Sequence, residues 1–257
     1  MILSVTITGA DDAADPNQLA HLSRFYPFVE WAVLFSDKRR GSPRYPSLQW
    51  IRRLEDVAAG RAGRMKLAMH LCGAEARLAA SEATHFDPGP AWRRVQVNGY
   101  EAGAAKREWI PAGSFTGRSA FSWILQARSR ESLRAVIDDA RVSSADVLYD
   151  PSGGEGKRPD AWPSIPAATS LEESAIGFGF AGGIGPDNVA GVLREVTEQN
   201  PNLSRVWIDM ESGVRTGETL DLDKVKAVLS AVASVRRRLA EHDLGAFERA
   251  ANAFVGK

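Results

Sequence analysis

The sequence predicts a (β/α)8 barrel. Eight segments carry the apolar and β-branched residues typical of strands, and most of them precede a segment with helical periodicity. The strands recur at intervals of about 25 to 35 residues, and a chain of 257 residues has the length of one such barrel. A doubly wound open sheet is the alternative architecture.

The first four strands are predicted in the amino-terminal half. The first alternates β-branched and polar residues up to Gly9, and the second is an almost continuous apolar run, as expected for a strand buried on both faces. Helical spacing follows three of them, whereas residues 99–117 contain several glycines and a proline and show no clean helical period. The predicted strands are Leu3–Thr8, Phe28–Phe35, Lys66–Leu71 and Arg94–Val97.

The last four strands are predicted in the second half. Ser129 is a suitable N-cap for the helix after the fifth strand, because its hydroxyl can accept a hydrogen bond from a free N–H group of the first turn. Pro186 and Asp187 introduce a helix after the seventh strand, and the last barrel helix starts at Leu222 and ends near Leu239. The predicted strands are Ser122–Gln126, Asp146–Tyr149, Ile176–Phe180 and Arg205–Met210.

One domain is expected over residues 1–257, with the barrel ending near residue 240. In the tail that follows, Leu244, Phe247, Ala251 and Phe254 recur at helical spacing. We therefore predict an extra helix over about 241–257 that packs on the barrel or on a partner chain. A homodimer is one expected assembly.

The composition excludes several classes of function. Lysine plus arginine and aspartate plus glutamate number 32 each, so bulk charge does not favour binding to nucleic acid or to an acidic membrane surface. The single cysteine, Cys72, excludes an intramolecular disulfide, and with four histidines the chain offers little material for a metal site. We expect neither a metal nor a cofactor. The amino terminus lacks signal-peptide features and no apolar run approaches the ~18 residues of a membrane span, so the expected location is cytoplasmic.

Glycine-rich loops follow the last three strands. Backbone N–H groups in such loops can approach an anion closely, and phosphate commonly binds after strands seven and eight of a barrel. The loop after strand six lacks the spacing of a P-loop, so we do not expect a nucleotide. The alternative is that these glycines only permit tight turns. The residues predicted to bind phosphate are Gly154, Gly182, Gly183, Ser212 and Gly213.

Four short motifs each follow a predicted strand. They are Ser42-Pro43-Arg44-Tyr45, Gly153-Gly154-Glu155-Gly156-Lys157 with Trp162, Ala181-Gly182-Gly183-Ile184 with Pro186 and Asn188-Val189, and Ile208-Asp209 with Ser212-Gly213-Val214. In these motifs and their order, the chain resembles the phosphoribosylanthranilate isomerases, barrel enzymes of tryptophan biosynthesis. The resemblance extends from Leu3 to about Ala233, except between Thr84 and Gly117.

The resemblance implies an Amadori rearrangement of an aminoaldose phosphate. One group protonates the ring oxygen and another removes a proton from carbon two. The resemblance places the acid at Asp150, for which capping of the turn with Pro151 is the alternative role. The family's base is a cysteine that ends the first strand, and Thr8 stands there in this chain. Because a threonine hydroxyl is too weak an acid to replace a thiolate, the isomerase activity does not follow from the resemblance.

Other residues are candidates for the site. Cys72, where the family has a histidine, could replace the missing base, with His70 on the same strand face; a buried structural cysteine is the alternative. Arg44 is implied to face the anthranilate carboxylate, which a guanidinium can hold with two hydrogen bonds. Asp209 is expected to orient the loop or a substrate hydroxyl. Glu211 places a negative charge beside the predicted phosphate site.

Two functions agree with these residues. The first is an isomerase- or lyase-type enzyme that acts on a phosphorylated sugar or a related anionic metabolite, with Asp150 as general acid. The second is a non-catalytic or regulatory binder of a phosphorylated metabolite, which the replacement of cysteine by Thr8 favours. An aldolase with a Schiff-base lysine is disfavoured, because Lys66 begins its strand instead of ending it.

Overall fold

A computed structural model describes residues 1–60, 65–81, 86–103, 121–153, 155–166 and 175–255. Eight parallel strands form a closed barrel in which each strand pairs with the next and β8 pairs with β1. The closure confirms the predicted (β/α)8 barrel and rules out the open sheet. The strands are β1 (Ile2–Thr8), β2 (Val29–Phe35), β3 (Lys66–Leu71), β4 (Trp92–Val97), β5 (Ser122–Ala127), β6 (Asp146–Tyr149), β7 (Phe178–Ala181) and β8 (Arg205–Met210).

Helices between the strands cover the outside of the barrel. Ser47 and Ser129 cap the second and fourth of them, and each hydroxyl accepts a hydrogen bond from an N–H of the first turn. The weakly predicted segment between β4 and β5 lies largely outside the described residues. The helices are α1 (Pro16–Phe25), α2 (Leu48–Ala59), α3 (Ala74–Ser81), α4 (Arg130–Ser143), α5 (Val189–Gln199) and α6 (Leu222–Val255).

The carboxyl-terminal helix is present, but it is not a separate element. Helix α6 runs without interruption through 34 residues, so the last barrel helix and the predicted extra helix form one continuous helix. The sequence of α6 contains no proline, the residue that most strongly ends a helix. Among the helices of the described chain, none combines the length and the apolar character needed to span a bilayer.

One side of the barrel interior is apolar. Ile124, Leu148, Ala181 and Trp207, from β5 to β8, form an apolar cluster of their own. Gly179 makes this cluster possible, because a Cβ atom at that position would overlap the indole of Trp207. The guanidinium of Arg94 lies 4.2 Å from the centre of the same Trp207 ring system. Trp207 therefore fills the middle of the barrel.

The amino ends of the strands, here called the floor, hold a buried charged network. Arg94 from β4 donates to both carboxylate oxygens of Glu30 from β2, at 2.6 to 3.1 Å. Thr6 donates to Glu30 and accepts from Arg94, and Asp146 at the start of β6 lies 3.5 Å from Arg94. Arg205 also pairs with Asp146. The charges of the floor thus neutralise one another.

Candidate active site

The carboxyl ends of the strands, here called the mouth, surround a cavity of about 170 Å³. In a barrel of this class the functional residues lie at this end. Polar side chains from six strand ends point into the cavity. They are Thr8, His70, Gln96, Gln126, Asp150 and Asp209.

Asp209 is the most buried carboxyl group in the lining of the cavity, with a relative exposure of 5%. Its Oδ1 accepts a hydrogen bond of 2.7 Å from the Thr8 hydroxyl. Its Oδ2 has no hydrogen-bond partner within the described residues and lies 3.8 Å from Nε2 of His70, which is also without a partner. Two polar atoms of buried side chains thus lie side by side in the cavity lining, where one ligand atom could contact both.

Burial is the main cause of the protonation states of Asp209 and His70. Burial, together with the negative charge of Asp150, raises the pKa of Asp209 to about 8, against the opposing effect of the Thr8 hydrogen bond. Burial and the nearby positive charge of Arg94 lower the pKa of His70 to about 3. Near neutral pH Asp209 is therefore largely protonated and His70 is neutral. The contact between them is not an ion pair, despite the short distance.

Asp150 follows β6 and is also buried, with 8% relative exposure. Its Oδ1 accepts hydrogen bonds from the backbone N–H and the hydroxyl of Ser152, and its Oδ2 accepts one of 3.0 Å from Gln126. Gln126 in turn accepts from the N–H of Gly99. Three donors hold the carboxylate in one position beside the cavity, where it can contact a ligand. The two hydrogen bonds from Ser152 show that Asp150 also caps the turn that it forms with Pro151.

The predicted phosphate loops converge on the same cavity. Gly182, Gly183, Ser212 and Gly213 all line it, whereas Gly154 lies outside the described residues. Gly182 and Gly183 have φ of 115° and 59°, in the left-handed region that favours glycine. Within the described chain their N–H groups donate no hydrogen bond. Consecutive free N–H groups of this kind are a good receptor for an anion.

The glycines also permit close packing between the loops. A Cβ at Gly183 would lie 2.5 Å from the backbone nitrogen of Arg158, and one at Gly213 would overlap the carbonyl oxygen of Ile184. A Cβ at Gly156 would lie 2.8 Å from the hydroxyl oxygen of Ser212. The two interpretations of the glycines, tight turns and an anion site, are therefore compatible. Substitution at Gly183 would disturb loop packing as well as any bound anion.

Arg44 is not among the residues that line the cavity. Its guanidinium lies 3.0 Å from Glu211 and 3.3 Å from Glu218, and its backbone N–H donates to Asp11. Arg44 has a φ of 73°, which is unusual for a residue other than glycine. In this structure it joins the loop after β2 to the loop after β8. Its predicted contact with a ligand carboxylate would require that pairing to open.

Cys72 also lies beside the cavity and not in its lining. Its Sγ lies 3.1 Å from Nδ2 of Asn98 and 3.6 Å from the carbonyl oxygen of His70. Burial raises the pKa of the Cys72 thiol. The thiolate form that a base requires is therefore disfavoured near neutral pH.

Several lining residues were not predicted. Gln96 and Gln126 are buried, and Asn98 and Arg128 follow them by two positions. The side chains of residues i and i+2 in a strand point to the same face, so each pair turns inward at the mouth. A polar residue at the next-to-last position of an apolar strand was the available signal. Trp162 of the sixth-loop motif packs instead on Phe180, with ring centres 6.0 Å apart.

The described residues contain no group of three histidine, cysteine, aspartate or glutamate side chains placed to hold a metal ion. The cavity lining offers three carboxyl groups, a neutral imidazole, a guanidinium, amides, hydroxyls and free N–H groups. Such a set can bind an anion and move protons.

A protein-family model described as N-(5'-phosphoribosyl)anthranilate isomerase matches residues 95–231, more than half of the chain. The chain belongs to this family. The matched segment contains Asp150, the loops with Gly183 and Gly213, and Asp209. Thr8, Arg44 and Cys72 precede it, so the replacement of the family cysteine falls in the part of the chain that the model does not match.

Three solved structures are similar to this chain, and the first of them supports the fold. The N-(5'-phosphoribosyl)anthranilate isomerase from Pyrococcus furiosus is 15% identical, with a TM-score of 0.53 over 90% of this chain and 99% of that one. The phosphoribosyl anthranilate isomerase from Thermococcus kodakaraensis is 14% identical, with a TM-score of 0.47 over 90% and 98%. A 3-hexulose-6-phosphate synthase is also 14% identical, with a TM-score of 0.48 over 90% and 99%. At 15% identity the likeness to the Pyrococcus furiosus structure concerns the barrel and not the activity.

Proposed function

We propose that the protein is an isomerase- or lyase-type enzyme that acts on a phosphorylated sugar or a related anionic metabolite, with Asp150 and Asp209 as its proton-transfer pair. One observation carries the proposal. Two buried carboxyl groups face one cavity, and Asp209 holds a proton near neutral pH beside the negative charge of Asp150. Aldose–ketose rearrangement needs an acid and a base on the two sides of the sugar.

The two aspartates are suited to different roles. Oδ2 of Asp209 is without a partner among the described atoms, so its proton can be donated to a ring oxygen of the ligand. Asp150 is held by Gln126 and Ser152 and can accept a proton from carbon. The resemblance implied the acid at Asp150, and the proposal reverses this, because burial keeps the proton on Asp209 and β1 ends at Thr8 without an ionisable group.

The phosphate of the ligand would bind at the N–H groups of Gly182 and Gly183. Their loop follows β7, which lies between β6 and β8, so a ligand anchored there would lie beside Asp150 and Asp209. An anchored phosphate holds the reacting sugar in one orientation, which contributes to catalysis by itself.

Turnover assays test the proposal. N-(5'-phosphoribosyl)anthranilate and a set of aldose phosphates would be incubated with wild-type protein, Asp150→Asn and Asp209→Asn, with Asp138→Asn on the exposed face of α4 as control. We expect the wild type and the control to convert at least one compound, and each site variant to lose at least about 100-fold in kcat, the usual contribution of acid–base catalysis. An active Asp150→Asn or Asp209→Asn variant would remove that residue from its role.

A non-catalytic binder of a phosphorylated metabolite is the second candidate, and Thr8 at the position of the family's base favours it. Thermal-shift measurements with sugar phosphates separate the two functions. A raised melting temperature without turnover of any compound would support the binder and contradict the enzyme. If no phosphorylated compound raised the melting temperature, both would fail, because a ligand specific for the folded state must stabilise it.

A further inference from the structure

Arg128 is the only arginine or lysine that lines the cavity in the described part of the chain. It follows β5 directly and stands two positions after Gln126, so the alternation of an extended chain brings both side chains to the mouth. No sequence motif drew attention to it.

The guanidinium of Arg128 rests on the loop after β6. A Cβ atom at Gly153 would overlap Nη2 of Arg128 and would lie 3.2 Å from its Cζ. Gly153 has a φ of 59°, a conformation that favours glycine. Glycine at this position therefore leaves the space in which the guanidinium lies across the cavity wall.

Arg128 has no carboxylate partner and no hydrogen-bond acceptor among the described residues. Four other cationic side chains on the loops around the mouth each form an ion pair with a carboxylate, with N–O distances of 2.6 to 3.0 Å. These pairs are Arg44–Glu211, Lys157–Glu155, Arg158–Glu195 and Arg215–Asp11. Arg128 is thus a charge that the described chain leaves available beside the cavity.

The phosphate loop lies next to this charge. A Cβ at Gly182 would be 3.6 Å from Cβ of Ser152, the neighbour of Gly153. The guanidinium and the free N–H groups of Gly182 and Gly183 therefore face one cavity from adjacent loops. The N–H groups provide donors without a net charge, whereas Glu211 and Asp150 in the same lining repel an anion. A cation at this place would strengthen the binding of a doubly charged phosphate monoester.

We propose that Arg128 binds the phosphate group of the ligand together with the N–H groups of Gly182 and Gly183. The inference rests on the phosphate site of the proposed function and names its charged residue. A guanidinium presents a planar pair of donors to two phosphate oxygens, which an ammonium group cannot do. The ligand class is a phosphate monoester.

Calorimetric titration tests the inference, with inorganic phosphate and ribose 5-phosphate as probes and ribose as uncharged control. The proteins are the wild type, Arg128→Ala, Arg128→Lys and Arg158→Ala, the last a matched removal of a neighbouring paired arginine. We expect Arg128→Ala to weaken binding by about tenfold or more, the size of a charge-assisted hydrogen bond. Arg128→Lys should retain part of the affinity, and Arg158→Ala should stay within about twofold of the wild type.

The outcomes separate this inference from the proposed function. Unchanged affinity in Arg128→Ala, or an equal loss in Arg158→Ala, would overturn the role of Arg128 and leave the phosphate site standing. A wild type that binds neither probe would overturn the site itself. Because Arg128 is exposed and without a partner in the described chain, the melting temperature of Arg128→Ala without ligand should equal that of the wild type.

Discussion

At the floor of the barrel Arg94 donates to both oxygens of Glu30 and approaches Asp146, whereas at the mouth Asp209 and His70 each keep a polar atom without a partner in the described chain. Both regions bury ionisable groups in the interior of the same barrel. Removing a charged or polar group from water is costly unless a partner compensates for it. The floor compensates for this cost within the protein, and the mouth does not.

The difference indicates which region is structural and which is functional. Paired charges, as at the floor, keep their ionised form and fix strands to one another. Unpaired groups, as at the mouth, change their protonation instead, and strongly shifted pKa values next to a cavity are typical of functional sites. Trp207 lies between the two regions and contacts Arg94 from the side of the floor.

The largest effect on stability is expected at the floor. Arg94→Met leaves Glu30 buried without its counter-charge and removes one of the two cations beside Asp146, so it should lower the free energy of unfolding by about 3–5 kcal/mol. Urea denaturation measures this value. Arg134→Met, which removes an exposed partner of Asp138, is the control and should change it by less than about 1 kcal/mol. Equal stability of the two variants would show that the floor network is not structural.

The second largest loss of stability is expected at Gly179, beside Trp207, between the floor and the mouth. Gly179→Ala forces the indole of Trp207 to move, and such overpacking costs about 1–3 kcal/mol. Gly191→Ala is the matched control, because a Cβ at that position in α5 meets no atom within 4 Å. Alanine should stabilise that helix slightly. A stable Gly179→Ala variant would mean that Trp207 is not confined as described.

At the mouth, the effect of Asp209 on stability should depend on pH. Asp209 retains its proton up to about pH 8 in the folded state but loses it near pH 3.8 when unfolded, so the wild type should lose stability as the pH rises between these values. Near pH 6.5, His70 is neutral in the folded state and partly protonated in the unfolded state, but this contribution is common to the wild type and to Asp209→Asn. Between pH 6.5 and 8 the stability of the wild type should therefore fall with pH relative to that of Asp209→Asn, as denaturation at each pH measures. Identical slopes would contradict the shifted pKa of Asp209.

The smallest effect is expected for Thr8→Val, which keeps the shape of the side chain and removes its hydrogen bond to Asp209. This bond lowers the pKa of Asp209, so its removal should raise that pKa. The pH above which activity or stability no longer changes with the ionisation of Asp209 should therefore be higher in the variant. Thr6→Val, which makes the same change at the floor, should leave that pH in place. A downward shift in Thr8→Val would contradict the assignment.

The fold could be predicted because parallel strands buried on both faces are nearly continuous apolar runs. Strands Lys66–Leu71, Asp146–Tyr149 and Arg205–Met210 have their predicted bounds, whereas β7 begins at Phe178, two residues later than predicted. The join of the last two helices was missed because Glu241 lies within one uninterrupted helix and no local residue marks a break.

The site was predictable only in part. The order of the loops placed Asp150 and Asp209 at the mouth, since every parallel strand ends at the same rim. Pairings between distant segments leave no local signal. Neither the ion pair of Arg44 with Glu211 nor the lack of a partner for Arg128 in the described chain could therefore be deduced. The proton on Asp209 depends on burial, which exists only in the folded chain.

The protonation of Asp209 is the central claim, because it supplies the acid that the proposed chemistry needs. Infrared difference spectra between the wild type and Asp209→Asn, recorded across a pH titration, measure it directly. We predict a protonated carboxyl band at pH 6 that belongs to Asp209 and disappears with a midpoint near pH 8. A carboxylate band for Asp209 already present at pH 6, with no protonated form, would contradict the account.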